Sequence, residues 1–261
     1  MVIKLGGGLI TEKKLERSVR KQVLSNVCAI ISKIVKSGFP VVLVHGAGSF
    51  GHPMAKKWKI ADGSMVEIIE EQRMVIGQIR NDMVDLSSIV RRCLNENGII
   101  SESFPPSNWA TGIGVNFRGN LTNFERKPED PVPITFGDVV DTDTSREFGI
   151  LSGDDLMLRL STELPDVTHS IFLLGDADGL MDKPPQEIGS KLIENWNPKM
   201  RFEGEHDERF DVTGGIGLKM ERAAIIASDV SDVWFINGNY PDRIVELLEK
   251  GTTRGTKINS S

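Results

Sequence analysis

The residues best suited to chemistry are three lysines and two histidines set among glycines. Lys4 lies inside the apolar run from Val2 to Leu5, two positions before Gly6-Gly7-Gly8. An ammonium group enclosed by apolar neighbours is stable only when paired. Either Lys4 faces an edge or a carboxylate, or it reaches past the glycines to a phosphate. Lys219, behind Asp211-Val-Thr-Gly-Gly215, stands where a helical pattern begins and suits the same task. Lys13 is a third candidate, although Lys13 and Lys14 also read as solvated surface charge. His45 and His52 bracket Gly46-Ala-Gly-Ser-Phe-Gly51. His45 ends an apolar strand, where a structural hydrogen bond is the simpler role. His52 faces whatever the loop binds.

Glycine loops recur at strand ends: Gly6–Gly8, Gly46–His52, Gly137–Asp138 and Gly175–Gly179, with a further turn at Gly214-Gly215. Glycine lets backbone N–H groups approach phosphate oxygens with no Cβ in the way, and a helix starting alongside adds a field that favours anions. A lone glycine after a strand merely turns the chain; recurrence is what points to chemistry. No Gly-x-x-x-x-Gly-Lys-Ser/Thr loop occurs, and no dinucleotide fingerprint precedes a helix, so a nicotinamide cofactor is disfavoured. Asp154 and Asp155 open a helix, where they either cap it or hold lysines in place. Asp176 and Asp178 either form the Gly175–Gly179 turn or approach a Mg²⁺–nucleotide, turn formation being the simpler reading for Asp178.

These residues need strands and helices in alternation to bring them together. Val2 to Leu5 is a strand, about Leu15 to Lys36 has the apolar spacing of one helix face, and Val41 to Val44 is a second strand. The region 62–97 is helical with a possible break near Gly77, and 111–131 is polar loop or hairpin. Extended segments return at 133–140, 170–174 and 233–236; Leu151–Asp155 leads into a helix through Leu164, and further helices follow at 212–229 and 241–250. The region 183–210 is an irregular excursion without a functional account. A three-layer α/β/α sandwich with a mainly parallel central sheet follows.

The 261 residues suffice for one large α/β domain with two lobes. A net charge of −6 gives no case for nucleic acid or an anionic membrane. Two distant cysteines, Cys28 and Cys93, suggest a reducing compartment without structural zinc. The start Met1-Val-Ile-Lys-Leu lacks a signal-peptide build, and no apolar run is long enough for a bilayer, so a cytoplasmic location is expected.

Lys4-Leu-Gly-Gly-Gly8, the 46–51 loop, Ser152-Gly-Asp-Asp155, Gly175-Asp-Ala-Asp-Gly179 and Asp211-Val-Thr-Gly-Gly215 occur in an order that resembles the amino acid kinase superfamily across nearly the whole chain. Within it, His45-Gly-Ala-Gly-Ser-Phe-Gly-His52, Thr135-Phe-Gly-Asp-Val-Val140 and Ile150-Leu-Ser-Gly-Asp-Asp155 are most similar to the isopentenyl phosphate kinases. Fosfomycin kinases share the Gly-x-Phe-Gly-His signature. The resemblance implies transfer of the ATP γ-phosphoryl group, with Mg²⁺, to isopentenyl phosphate in an alternate mevalonate route, by a homodimer. A phosphonate acceptor, or a nucleotide-binding protein of the same fold without turnover, are the alternatives.

The resemblance also distributes the residues. Residues 1 to about 150 would form the acceptor lobe and about 151–261 the ATP lobe. Lys4, Lys13, His52, Asp154 and Lys219 would act in transfer. Gly7, Gly8, Gly46, Ala47, Gly48, Gly51, His52 and Gly153 would hold the acceptor phosphate. Lys4, Gly6, Gly175, Asp176, Asp178, Gly179, Gly215 and Lys219 would contact nucleotide. Family members usually carry Ser at the position of Gly8 and Thr at that of Gly175, so two hydroxyls are missing here. The Met and Ile side chains of 65–84 offer a wall for an isoprenoid tail, or simply a core stripe.

Overall fold

Alternate side chains of the Val2–Leu5 strand enter two different cores, as the two-residue period of a strand requires. Ile3 and Leu5 pack with the helices Lys21–Lys36, Ile69–Glu96 and Asp242–Lys250 on one face of the sheet. Val2 packs on the opposite face with the helices Gly153–Glu163 and Ile216–Ile226. Lys4 has the parity of Val2, so its ammonium group is delivered beneath the start of Gly153–Glu163. The computed structural model from which these contacts come describes residues 1–12, 14–200 and 216–260.

The central sheet runs in the order Asn195–Trp196, Thr256–Ile258, Asp232–Asn237, His169–Leu174, Val2–Leu5, Val42–His45, Val132–Phe136 and Ser101–Ser103. Neighbours are parallel except Asp232–Asn237 with Thr256–Ile258. With helices on both faces, this is the expected three-layer α/β/α sandwich. The chain first builds outward on the Val42–His45 side, then returns to pair His169–Leu174 with the opposite edge of Val2–Leu5. The carboxyl ends of Val2–Leu5 and His169–Leu174 therefore flank the point where strand order reverses, the place where open α/β sheets leave a crevice.

Three expectations are corrected. The first long helix starts at Lys21 rather than near Leu15. Before it, Arg17 has φ +50° and ion pairs to Asp82 (3.1 Å) and Asp85 (2.6 Å), and the chain folds back so that Thr11 bridges Val19. The helix Ile69–Glu96 passes unbroken through Gly77, which lies on an open face with nothing near it, while 60–62 and 66–68 form short 3₁₀ turns. The strand Thr256–Ile258 was not expected; three residues in a polar tail carry no readable alternation. Of the helix expected over 212–229, Ile216–Ile226 is helical and 212–215 lie outside the described residues.

Candidate active site

At the reversal point two glycine loops meet backbone against backbone. A Cβ on Gly7 would overlap the Gly48 nitrogen, and one on Gly46 would lie 2.6 Å from the Gly7 nitrogen. Gly48 also sits at φ +50°, a conformation that L side chains rarely adopt. It begins the helix Gly48–Lys57, whose N-cap residue Ala47 offers no side-chain cap, the Ser49 amide being taken instead by Thr11 Oγ1 at 3.0 Å. The Phe50 amide already donates to the Ala47 carbonyl at 3.1 Å, so Ala47 and Gly48 supply the N–H donors this end can present, along with a field that favours an anion. Gly175, at the end of His169–Leu174, closes against the first loop: a Cβ there would lie 2.6 Å from the Gly8 carbonyl oxygen.

The ionic centre stands beside these loops. Ser152 caps the helix Gly153–Glu163 by accepting from the Asp154 amide at 3.1 Å, which places Asp154 in the first turn. The Asp154 carboxylate lies between two ammonium groups, Lys4 at 2.6 Å and Lys219 at 3.0 Å. Lys219 is carried by the helix Ile216–Ile226, and the buried Arg222–Asp155 pair at 2.7 Å pins that helix to the one bearing Asp154. Burial pushes Lys4 down to about 7; Asp154 opposes the fall and the like charge of Lys219 adds to it. Burial acts to raise Asp154, yet the two lysines outweigh it and hold the carboxyl at about 2. Two cations share one anion here, so the centre keeps an excess of positive charge facing a cleft. That excess suits a transferring phosphoryl group.

The cleft has a volume of about 1080 Å³. Lys4, Gly6, Gly7, Gly8, Gly46, Ala47, Gly48, Gly51 and His52 line it, as do Gly153, Asp154, Gly175, Asp176, Gly179 and Lys219. Lys13 and Gly215 lie outside the described residues. His52 is open to the cleft, and partial burial followed by the charge of Lys4 lowers its pKa, so its imidazole is neutral at pH 7 and retains one N–H to donate. His45 is enclosed instead: Nδ1 lies 3.2 Å from the Gly46 carbonyl oxygen, the ring stacks on Phe136, and burial pushes its pKa down to about 4. A structural role fits it.

Asp178 departs from the expected nucleotide contact. It does not line the cleft, and its carboxylate accepts from Arg243 (2.7 Å), Arg254 (2.6 Å) and Asn237 (3.1 Å). These contacts tie the Gly175–Gly179 turn to neighbouring segments, which is the turn-forming role. Sequence reasoning gave no role to Ser152, whose serine-before-acid spacing is a recognisable cap signal. It pointed to the Met and Ile side chains of 65–84 as an apolar wall without saying which of them line it. Ile79 and Met83 of the helix Ile69–Glu96 line one part of the cleft with Val139 and Ile150, whereas Met74 of the same helix is 71% exposed. Asp138 lines it too, with both carboxylate oxygens engaged by the Val139 and Ser107 amides at 2.8 and 3.1 Å.

Comparison with known proteins agrees with this geometry. A family model described as the amino acid kinase family matches residues 1–237. An isopentenyl phosphate kinase from Thermoplasma acidophilum is 32% identical over 253 residues, covering 95% of both chains. Another from Methanothermobacter thermautotrophicus is 29% identical, covering 99% of this chain and 98% of its own. A crystal structure of the T. acidophilum isopentenyl phosphate kinase product complex superposes with a TM-score of 0.81 at 28% identity, over 99% of each chain. A carbamate kinase from Giardia lamblia bound to AMP-PNP, TM-score 0.63 at 14% identity, shares the fold.

Proposed function

Since the chain belongs to the amino acid kinase family, we propose that it is an ATP-dependent kinase transferring the γ-phosphoryl group to isopentenyl phosphate, giving isopentenyl diphosphate and ADP. The observation that carries this reading is the Lys4–Asp154–Lys219 cluster beside the glycine-rich start of the Gly48–Lys57 helix, in one cleft. A volume of about 1080 Å³ is at the upper limit for a single ligand, which suits two substrates side by side.

The acceptor supplies its own nucleophile. A phosphate monoester has a second pKa near ~6, so its attacking oxygen is largely deprotonated at neutral pH and no general base is needed. What remains is to align two polyanions and neutralise them. The amides of Ala47 and Gly48 and the N–H of His52 hold the acceptor phosphate, the Gly46 amide being engaged by the Leu5 carbonyl at 2.9 Å. Lys4 and Lys219 neutralise charge on the group in flight, Asp154 keeps both ammonium groups aimed at it, and Lys13 assists. Gly6, Gly175, Asp176 and Gly179 flank the polyphosphate side. No cluster of three or more potential metal ligands occurs among the described residues. Mg²⁺ bound with the nucleotide would offset polyphosphate charge.

A division into an acceptor lobe (1 to about 150) and an ATP lobe (about 151–261) is part of this reading, supported by the different loops on either side of Lys4. Ile79, Met83, Val139 and Ile150 favour an acceptor with an apolar tail over fosfomycin, which is small and polar. A homodimer is supported by the apolar outer positions Met74 and Val84, 71% and 42% exposed on the helix Ile69–Glu96. A cytoplasmic location is supported by Cys28 and Cys93, buried and free. No helix among the described residues is long and apolar enough to cross a membrane. ATP consumption with isopentenyl phosphate, with fosfomycin and with buffer alone tests the function. The first should dominate; equal rates in all three would dispose of the assignment.

A further inference from the structure

Thr11 is buried, 1% exposed, at the end of the Gly7–Ile10 turn. Its hydroxyl donates to the Gly7 carbonyl oxygen at 2.7 Å and accepts from the Ser49 amide at 3.0 Å. One side chain thus joins the loop after Val2–Leu5 to the helix start after Val42–His45. The remaining polar atoms of Ser49 are tied to the same segment. Pro53 has no N–H to give the Ser49 carbonyl four residues back, and the Arg17 amide takes that place at 3.2 Å. Ser49 Oγ meets both the amide and the carbonyl of Ser18 at 3.3 Å. The Ser49 amide is one of the first-turn donors of Gly48–Lys57, so Thr11 also takes it away from any ligand. The Gly48 and Ala47 amides are left to face the cleft. Gly48 leaves no alternative packing, since a Cβ there would overlap Thr11 Oγ1.

We propose that Thr11 is a positioning residue for phosphoryl transfer, its hydroxyl fixing the separation between the loop that faces the moving phosphoryl group and the helix end that faces the acceptor phosphate. This rests on the kinase reading above. Each loop still binds its own ligand without Thr11, but the two ligands are no longer held in line. A shift of about 1 Å in reacting groups lowers rates on the order of 100-fold.

The test compares Thr11→Val, which keeps the shape and loses both hydrogen bonds, with Thr11→Ser, which keeps the hydroxyl. Steady-state kinetics are read per folded molecule, with the phosphoryl acceptor that the wild type turns over, isopentenyl phosphate or fosfomycin. Thr11→Val should lose ~10-fold or more in kcat with both KM values changed by no more than about threefold, and Thr11→Ser should recover most of the loss. If Thr11→Val does not fold, Thr11→Cys, near in volume and weak in hydrogen bonding, takes its place. A variant that melts earlier but keeps wild-type kcat overturns the proposal, as does a loss confined to KM or one that Ser does not repair. Failure of the wild type to use isopentenyl phosphate is a separate result that strikes the substrate assignment alone.

Discussion

An ammonium group as enclosed as Lys4 persists in charged form only beside a counter-charge, and Asp154 at 2.6 Å provides it. The balance is close, because burial has already brought Lys4 down to about 7. In the free enzyme the cation needed for transfer is therefore lost as the pH rises through about 7. On the acid side the acceptor's phosphate gains a proton below ~6 and attacks poorly. The log of kcat/KM, which reports free enzyme and free substrate, should rise to about pH 6, level, and fall above about 7. Bound phosphates stabilise the ammonium form, so kcat itself should hold to higher pH. A kcat/KM profile flat to pH 9 would mean that Lys4 keeps its proton against the depression that burial imposes. Asp154→Asn should move the alkaline limb to lower pH, since it removes the partner that supports the charged lysine.

At the scale of elements, two glycines of similar appearance in the sequence have opposite duties. Gly48 is held at φ +50° against Thr11, and Gly77 sits mid-helix with open space around it. Gly48→Ala should destabilise by about 1–2 kcal/mol from backbone conformation alone, more with the overlap, and abolish turnover. Gly77→Ala should stabilise by roughly 0.5–1 kcal/mol and leave turnover unchanged. Urea unfolding of both variants decides this, and a stable, active Gly48→Ala would contradict the packing described. The same contrast shows what the sequence made legible. Strand-then-glycine junctions with helical spacing between them placed the Val2–Leu5, Val42–His45 and His169–Leu174 ends correctly. Lys4 announced itself because a charge in an apolar strand demands a partner. The partner's identity was not legible, because Asp154 and Asp155 are adjacent in sequence and only the turn of the helix sends one to Lys4 and the other to Arg222. The start at Lys21 was hidden because the fold-back before it depends on Arg17 meeting Asp82 and Asp85, far along the chain. The partners of Asp178 were illegible for a similar reason: its two arginines lie more than sixty residues away.

Across the whole molecule, the chain leaves Val2–Leu5 toward Val42–His45 on one side and pairs His169–Leu174 on the other, and the two sides carry different loops around one ionic centre. His52 lies on the side built from the first half of the chain, away from the Gly175–Gly179 turn. His52→Ala should accordingly lower kcat about 100-fold to 1,000-fold while nucleotide affinity, measured by calorimetry, stays within about twofold. A matching loss of nucleotide affinity would mean that the sides are not separate. The central claim is that the cleft joins a phosphoryl group to an existing phosphate. Phosphorus NMR of the enzyme with ATP, Mg²⁺ and isopentenyl phosphate tests this directly. The monoester resonance should disappear as the coupled pair of a diphosphate monoester grows in step with ADP. ATP loss yielding only inorganic phosphate, with the monoester untouched, would contradict it.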